Sequence, residues 1–155
     1  MSLIVIEGLD GSGKGTQYKL LVDNLKKMGI ETCEVDFPDY NSKSSALVKM
    51  YLGGEFGGNP KEINPYAACT FYAVDRFASY TTNWKKDFES GKTIIANRYI
   101  SSNIVYQMSK VKEENWGEFI DWVCDLECDK FNLPQADLVI YLDMPTDVSQ
   151  ELMTK

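Results

Sequence analysis

An α/β fold built on a parallel sheet is what this 155-residue chain predicts, and three features predict it. Short apolar runs at 3–7, 93–96 and 137–143 have the composition of strands buried on both faces. Segments with apolar residues at helical spacing lie between them, and strands alternating with helices fold as a parallel sheet with helices on both faces. A glycine-rich turn at 8–15 joins the first apolar run to the first helical segment. The length is that of one domain, spanning 1–155, with enough chain to bury a core without metal or disulfides.

Taken in order, Leu3-Ile4-Val5-Ile6-Glu7 is the first strand. From Lys14 the spacing of Leu20, Leu21, Leu25 and Met28 marks a helix, which Gly29 stops. Residues 31–36 are a second strand, and Phe37-Pro38-Asp39-Tyr40 is a turn. Leu47, Val48 and Tyr51 place a short helix over 44–52, followed by a flexible loop at 53–60 that holds four glycines. Asn64-Pro65 opens a long helix, with Asn as cap and Pro at the first helical position, running to about Glu89 and stopped by Gly91. Thr93–Ala96 is the third strand. Helices follow at 101–109 and 116–131, and Pro134 ends the second. Asp137–Asp143 is a fourth buried strand, and a last helix starts at 146.

Composition removes several kinds of chemistry. The chain has no histidine, which excludes Ser-His-Asp and Cys-His catalysis and His-ligated zinc. A net charge of −7 argues against partnership with a nucleic acid polymer or a membrane surface. No apolar run approaches the roughly 20 residues that span a bilayer, and no basic segment leads into an apolar one at the start. The expectation is a cytoplasmic protein whose cysteines, Cys33, Cys69, Cys124 and Cys128, are reduced.

The turn reads Gly8-Leu9-Asp10-Gly11-Ser12-Gly13-Lys14-Gly15-Thr16. Strand, glycine loop and helix in that order form a phosphate-binding loop. Glycines let backbone N–H groups turn inward onto phosphate oxygens, and the helix N-terminus adds its dipole. Lys14 supplies a charge that can follow a transferred phosphoryl group. Gly15 occupies the position where a hydroxyl residue usually follows the lysine, so Thr16 is the candidate hydroxyl for Mg²⁺.

This opening resembles that of the nucleoside monophosphate kinases, and of thymidylate kinases in particular. Further matches follow in the same order: Phe37-Pro38, Phe71-Tyr72-Ala73-Val74-Asp75-Arg76, Asn97-Arg98-Tyr99 with Ser102, and Leu133-Pro134 with Asp137–Asp143. The resemblance implies a three-layer α/β/α P-loop kinase fold that transfers the γ-phosphoryl group of ATP, with Mg²⁺, to the 5′-phosphate of dTMP. It implies that Gly8 to Thr16 hold ATP and that Lys14 and Arg98 are catalytic, Arg98 gripping the acceptor phosphate. It also implies that Arg76 reads the base edge, that the Tyr72 ring stacks on thymine, and that Tyr106 crowds the sugar. Phe37, Ser102 and Asp10 complete the acceptor site, and a homodimer packs through the long helices. Sparse arginine agrees with this: lysine occurs 14 times, but only Arg76 and Arg98 carry the rigid planar fork that grips phosphate or a base edge.

Three departures stand out. Asn97 replaces the Asp usual before the strand-end arginine, and a neutral amide holds hard cations less well. Tyr40 stands where many members carry Arg. The chain stops where the family's lid, last strand and last helix would follow, so the expectation is a truncated product that is weakly active or inactive. Two other readings stay open from sequence: a deoxynucleoside kinase acting on a 5′-hydroxyl, and a non-catalytic nucleotide-binding module.

Overall fold

A computed structural model describes residues 1–153 of the chain. Its backbone divides into two compact units, one formed by 1–36, 84–99 and the described residues from 136 on, and the other by 37–83 and 100–135.

The first unit is built on the sheet. Strand β1 (Ser2–Gly8) pairs in parallel with β3 (Thr93–Asn97) on one side and with β4 (Leu138–Leu142) on the other, and β2 (Thr32–Asp36) adds to β3, giving the order β2-β3-β1-β4. Central position explains composition: Leu3, Val5, Ile94, Ile95 and Ala96 are fully buried. Helix α1 (Lys14–Lys27) packs on β1, β2 and β3, and its Tyr18 hydroxyl lies 3.4 Å from the Val35 carbonyl and 3.3 Å from that of Ile95. Asp137 ties β4 to β1 at its start, accepting the Leu3 N–H at 2.8 Å through its carboxylate while its own N–H donates to the Leu3 carbonyl at 2.9 Å.

The fourth strand differs from the expectation of full burial. Leu138, Val139 and Tyr141 are each about half exposed. The reason is position: β4 is bonded on one side only, so its side chains and one edge lack the second neighbour that β1 and β3 possess.

The second unit is helical. A 3₁₀ turn (Lys43–Ser45) leads into α2 (Ala46–Leu52), and α3 (Pro65–Ser79) packs against α2 and against α5 (Ile100–Met108). Asn64 caps α3 as expected, its Oδ1 accepting the N–H groups of Tyr66 and Ala67 at 2.9 and 3.3 Å. Helix α6 (Trp116–Cys124) supplies Phe119 and Val123, both fully buried, to a core with Val48, Ala68, Cys69 and Ala73. The Tyr66 ring stands edge-on to Phe119 and Trp122.

Two expected helices are interrupted. The long helix passes from α3 through a π turn (Tyr80–Trp84) into α4 (Lys85–Glu89), which packs on β3. The α6 segment likewise ends in a π turn over Asp125–Lys130. Each of these turns carries one completely buried large side chain, Trp84 in the first and Glu127 in the second. Helix α7 (Thr146–Met153) closes the described chain. Among the described residues no helix is long and apolar enough to cross a membrane.

Candidate active site

Within the sheet unit, residues 8–16 link β1 to α1. Gly11 adopts φ 76°, and a Cβ there would come within 2.7 Å of the Ser149 carbonyl, so only glycine fits. Gly13 precedes α1 at φ 81° and offers no side-chain cap; the Thr16 N–H turns back to the Gly13 carbonyl at 3.0 Å, and the helix N-terminus faces the loop. Lys14 is almost buried, and its Nζ donates to the Leu9 carbonyl at 2.6 Å, 3.9 Å from an Asp10 carboxylate oxygen. Burial, and then the neighbouring Arg98 cation, hold the Lys14 ammonium below the ordinary lysine pKa, against the pull of Asp10 and Glu7.

Strand β3 ends in the second half of this site. Arg98 has φ 66°, a left-handed conformation rare for a side-chain-bearing residue, and its N–H donates to the Ile6 carbonyl at 3.0 Å. Its Nη2 donates to the Asp10 carboxylate. Buried Glu7 accepts the Tyr99 N–H at 3.0 Å and so fixes the turn after Arg98. Asn97 donates from Nδ2 to Asp36 at 3.0 Å. Since an ionised carboxylate only accepts, that contact sets which end of the amide is which and leaves Oδ1 as a buried acceptor with no hydrogen-bond partner. A cavity of about 650 Å³ is lined by Asp10, Gly11, Gly13, Lys14, Gly15, Thr16, Lys19, Leu20, Asn97 and Arg98. Thus one unit by itself gathers the phosphate loop, Thr16, Asn97 and Arg98 around one space.

The donor set has a bearing on metal. Among the described residues no cluster of three or more Asp, Glu, Cys or His could cage an ion. A cation arriving on nucleotide phosphates needs only one or two protein oxygens, and the orphaned Asn97 acceptor and the Thr16 hydroxyl at the cavity wall fit that lesser requirement.

The helical unit carries the other expected residues: Phe37, Tyr72, Arg76, Ser102 and Tyr106. Tyr72 and Arg76 lie one turn apart on α3. The Tyr72 ring stands edge-on to Tyr51 with centroids 6.1 Å apart, and the Tyr51 hydroxyl accepts from Lys110 at 2.6 Å. Phe37 is buried and begins the cis Phe37-Pro38 bond, and the Asp39 N–H that follows donates to the buried Asp75 carboxylate at 2.8 Å. Arg76 is buried and forked onto Glu127: Nε donates to Oε2 and Nη2 to Oε1, each at 2.6 Å. Ser102 is half-buried and Tyr106 exposed.

Sequence reasoning missed Glu127, Asn103, Gln107 and Asp36. A local signal existed for the first, since Glu127 sits four residues after Val123 on the apolar side of its helical segment. Helix α5 gave none, since it buries Asn103 and Gln107 while exposing Val105 and Tyr106, the reverse of what their polarity indicates. Asp36 acts through Asn97, its partner across the β2–β3 ladder, which only strand register reveals.

The family model for thymidylate kinase matches residues 6–155. The chain belongs to the thymidylate kinase family. It is 33% identical over 148 residues to a probable thymidylate kinase of Thermococcus gammatolerans, covering 94% of this chain and 67% of that one. It is 29% identical over 158 aligned positions to the thymidylate kinase of Caenorhabditis elegans, with 96% and 66% covered, and 28% identical over 152 to that of Mycobacterium tuberculosis, with 96% and 69% covered. The chain therefore spans about two thirds of the length of these relatives.

Proposed function

We propose that this chain carries the thymidylate kinase reaction, moving the γ-phosphoryl group of ATP to the 5′-phosphate of dTMP to give dTDP. One observation carries the reading: a phosphate loop, its lysine and the strand-end arginine line one cavity in a chain of this family. The acceptor phosphate is already an anionic nucleophile, so the chain needs no histidine and no general base. Its work is positioning and charge neutralisation. Backbone N–H groups of residues 8–16 hold the donor phosphates, Lys14 follows the transferring group, and Arg98, steadied by Asp10, grips the acceptor phosphate. Mg²⁺ bound with ATP supplies further charge neutralisation at the phosphate oxygens, and Thr16 and Asn97 are the residues assigned to it.

On the acceptor side, Tyr72 stacks on the base, Arg76 reads its edge, Tyr106 crowds the sugar, and Phe37 and Ser102 complete the site. A single kinase domain spanning 1–155, a homodimer and a cytoplasmic location belong to the same proposal. Membership of the family does not favour the nucleoside kinase or the non-catalytic module. The test is product analysis with ATP and Mg²⁺ against dTMP, thymidine and dAMP. The expected result is dTDP from dTMP alone. Phosphorylation of thymidine or dAMP without dTDP overturns the assignment.

A further inference from the structure

Glu127 is fully buried in the π turn that follows α6, and both of its oxygens are committed. They take Arg76 side-on at 2.6 Å each, and Oε1 also accepts from Asn103 Nδ2 at 3.1 Å. The same amide donates to the Cys69 carbonyl at 3.1 Å. One carboxylate thus joins α3, α5 and the π turn across 51 and 24 residues of chain. Its own backbone is held as well, since the Leu133 N–H donates to the Glu127 carbonyl at 3.0 Å.

Stability is a weak reason for this arrangement. Taking two charges out of water costs about what their attraction returns, and apolar residues of the same volume do as well or better. The same unit buries Cys69, Ala73, Phe119 and Val123 completely, side chains that reach burial without any charge. What a side-on bidentate contact does supply is direction. It fixes the plane of the guanidinium and spends its Nε–Nη2 edge. Asn103 keeps the carboxylate from turning out of that plane.

We infer that Glu127 is a positioning residue for base selection: it holds Arg76 so that the arginine presents a donor, in one orientation, to the exocyclic oxygen of a 4-oxo-pyrimidine. The inference rests on the dTMP reading above and adds the residue that enforces it. A fixed donor gives its N–H to the O4 of thymine or uracil, which accepts, and meets a second donor in the amino group that cytosine carries at the same place. A lysine at 76 would keep the charge and lose the plane.

The test is Glu127→Gln in the full chain, assayed with ATP and with dTMP, dUMP and dCMP as acceptors. Gln accepts at one end only, so the bidentate hold is lost. The expected result is a KM for dTMP and dUMP raised about tenfold or more, with kcat within about threefold of the parent and the KM for ATP unchanged. The preference for dTMP over dCMP falls by about tenfold, and Arg76→Lys loses it likewise. In an Arg76→Met background, Glu127→Gln changes neither value further, because Glu127 acts through Arg76 alone. A Glu127→Gln protein that melts lower but keeps its KM for dTMP and its preference within about twofold overturns the inference. Should that variant not fold, Arg76→Met with Glu127→Met removes both charges together. The inference expects this pair to fold without the preference, and a folded pair that retains it overturns the inference. Thermal-shift titration with dTMP and dCMP separates the two claims. A parent chain that binds dTMP yet forms no dTDP counts against the activity alone, and the inference then stands or falls on whether Glu127→Gln erases the binding preference. A parent that binds neither nucleotide overturns both.

Discussion

The proposed role puts Arg98 at the chemistry in a conformation that its side chain makes costly, so replacing it should separate stability from activity. At φ 66° a residue with a Cβ costs roughly 1–2 kcal/mol that glycine does not. Glycine in turn loses about 0.5–1 kcal/mol more backbone entropy on folding. Arg98→Gly and Arg98→Ala both lose the pairing with Asp10, whose side chain is 61% exposed, a contact worth about 0–1 kcal/mol. Both keep the N–H bond to the Ile6 carbonyl. The two variants therefore differ by the strain less the entropy, about 0.75 kcal/mol in favour of glycine at the middle of those ranges. For a chain of 155 residues that is a Tm higher by about 1.5–3 °C. Both lose the same cation at the phosphate cavity, and kcat should fall by about 10²–10³ in each. Thermal unfolding by circular dichroism and a coupled dTDP assay read the two effects separately. An alanine variant as stable as the glycine one removes the strain argument, and turnover within tenfold of the parent in either removes Arg98 from the chemistry.

The same geometry carries other expectations. Lys14→Met should abolish measurable ATP binding by calorimetry while leaving the fold intact by circular dichroism. In the parent, the Lys14 pKa lies below 10.5. The unfolded chain therefore binds more protons than the folded one between that lowered value and 10.5, and its contribution to stability rises with pH across the window. Phosphate favours the charged form, so ATP affinity should fall across the same window; affinity that is flat there would show that Lys14 does not meet the nucleotide. Asn97→Asp places a second carboxylate where the amide now sits 3.0 Å from Asp36. Melting near pH 7 in low salt should drop, and should recover as the pH enters the carboxylate range or on addition of Mg²⁺, whereas an unchanged Tm would refute the Asp36 contact. Tyr72→Leu should raise the KM for dTMP by about tenfold with the KM for ATP unchanged, since stacking on a base is worth about 1–3 kcal/mol.

The features legible in the sequence were those whose cause is local. The phosphate loop is readable because its glycines, lysine and flanking strand act within nine residues, and the Asn64 cap because it bonds two and three residues ahead. The burial of β4 was misread because Leu138, Val139 and Tyr141 look the same whether a strand has one neighbour or two. The π turns at 80–84 and 125–130 escaped because apolar spacing runs on through them, while the extra residue answers to packing from elsewhere. That Arg76 is one of only two planar forks beside 14 lysines was readable. Its partner was not, since Glu127 lies 51 residues away and α3 itself offers the nearer carboxylate of Asp75.

The order of the sheet also sets a schedule for synthesis. β1 is made first but has no partner until β3 at 93–97 leaves the ribosome, and its second partner comes only at 138–142. β2 also waits for β3. Until Thr93 is made, Leu3, Val5 and Ile6 belong to a strand with nothing to pair with, while the helices between can already form. One stretch, Thr93 to Arg98, then completes two ladders and delivers the second half of the phosphate cavity together. A pause in translation just before it would leave the nascent chain helical, apolar at its leading end and unable to hold a nucleotide, so the moment of greatest exposure to chaperones precedes the arrival of those six residues.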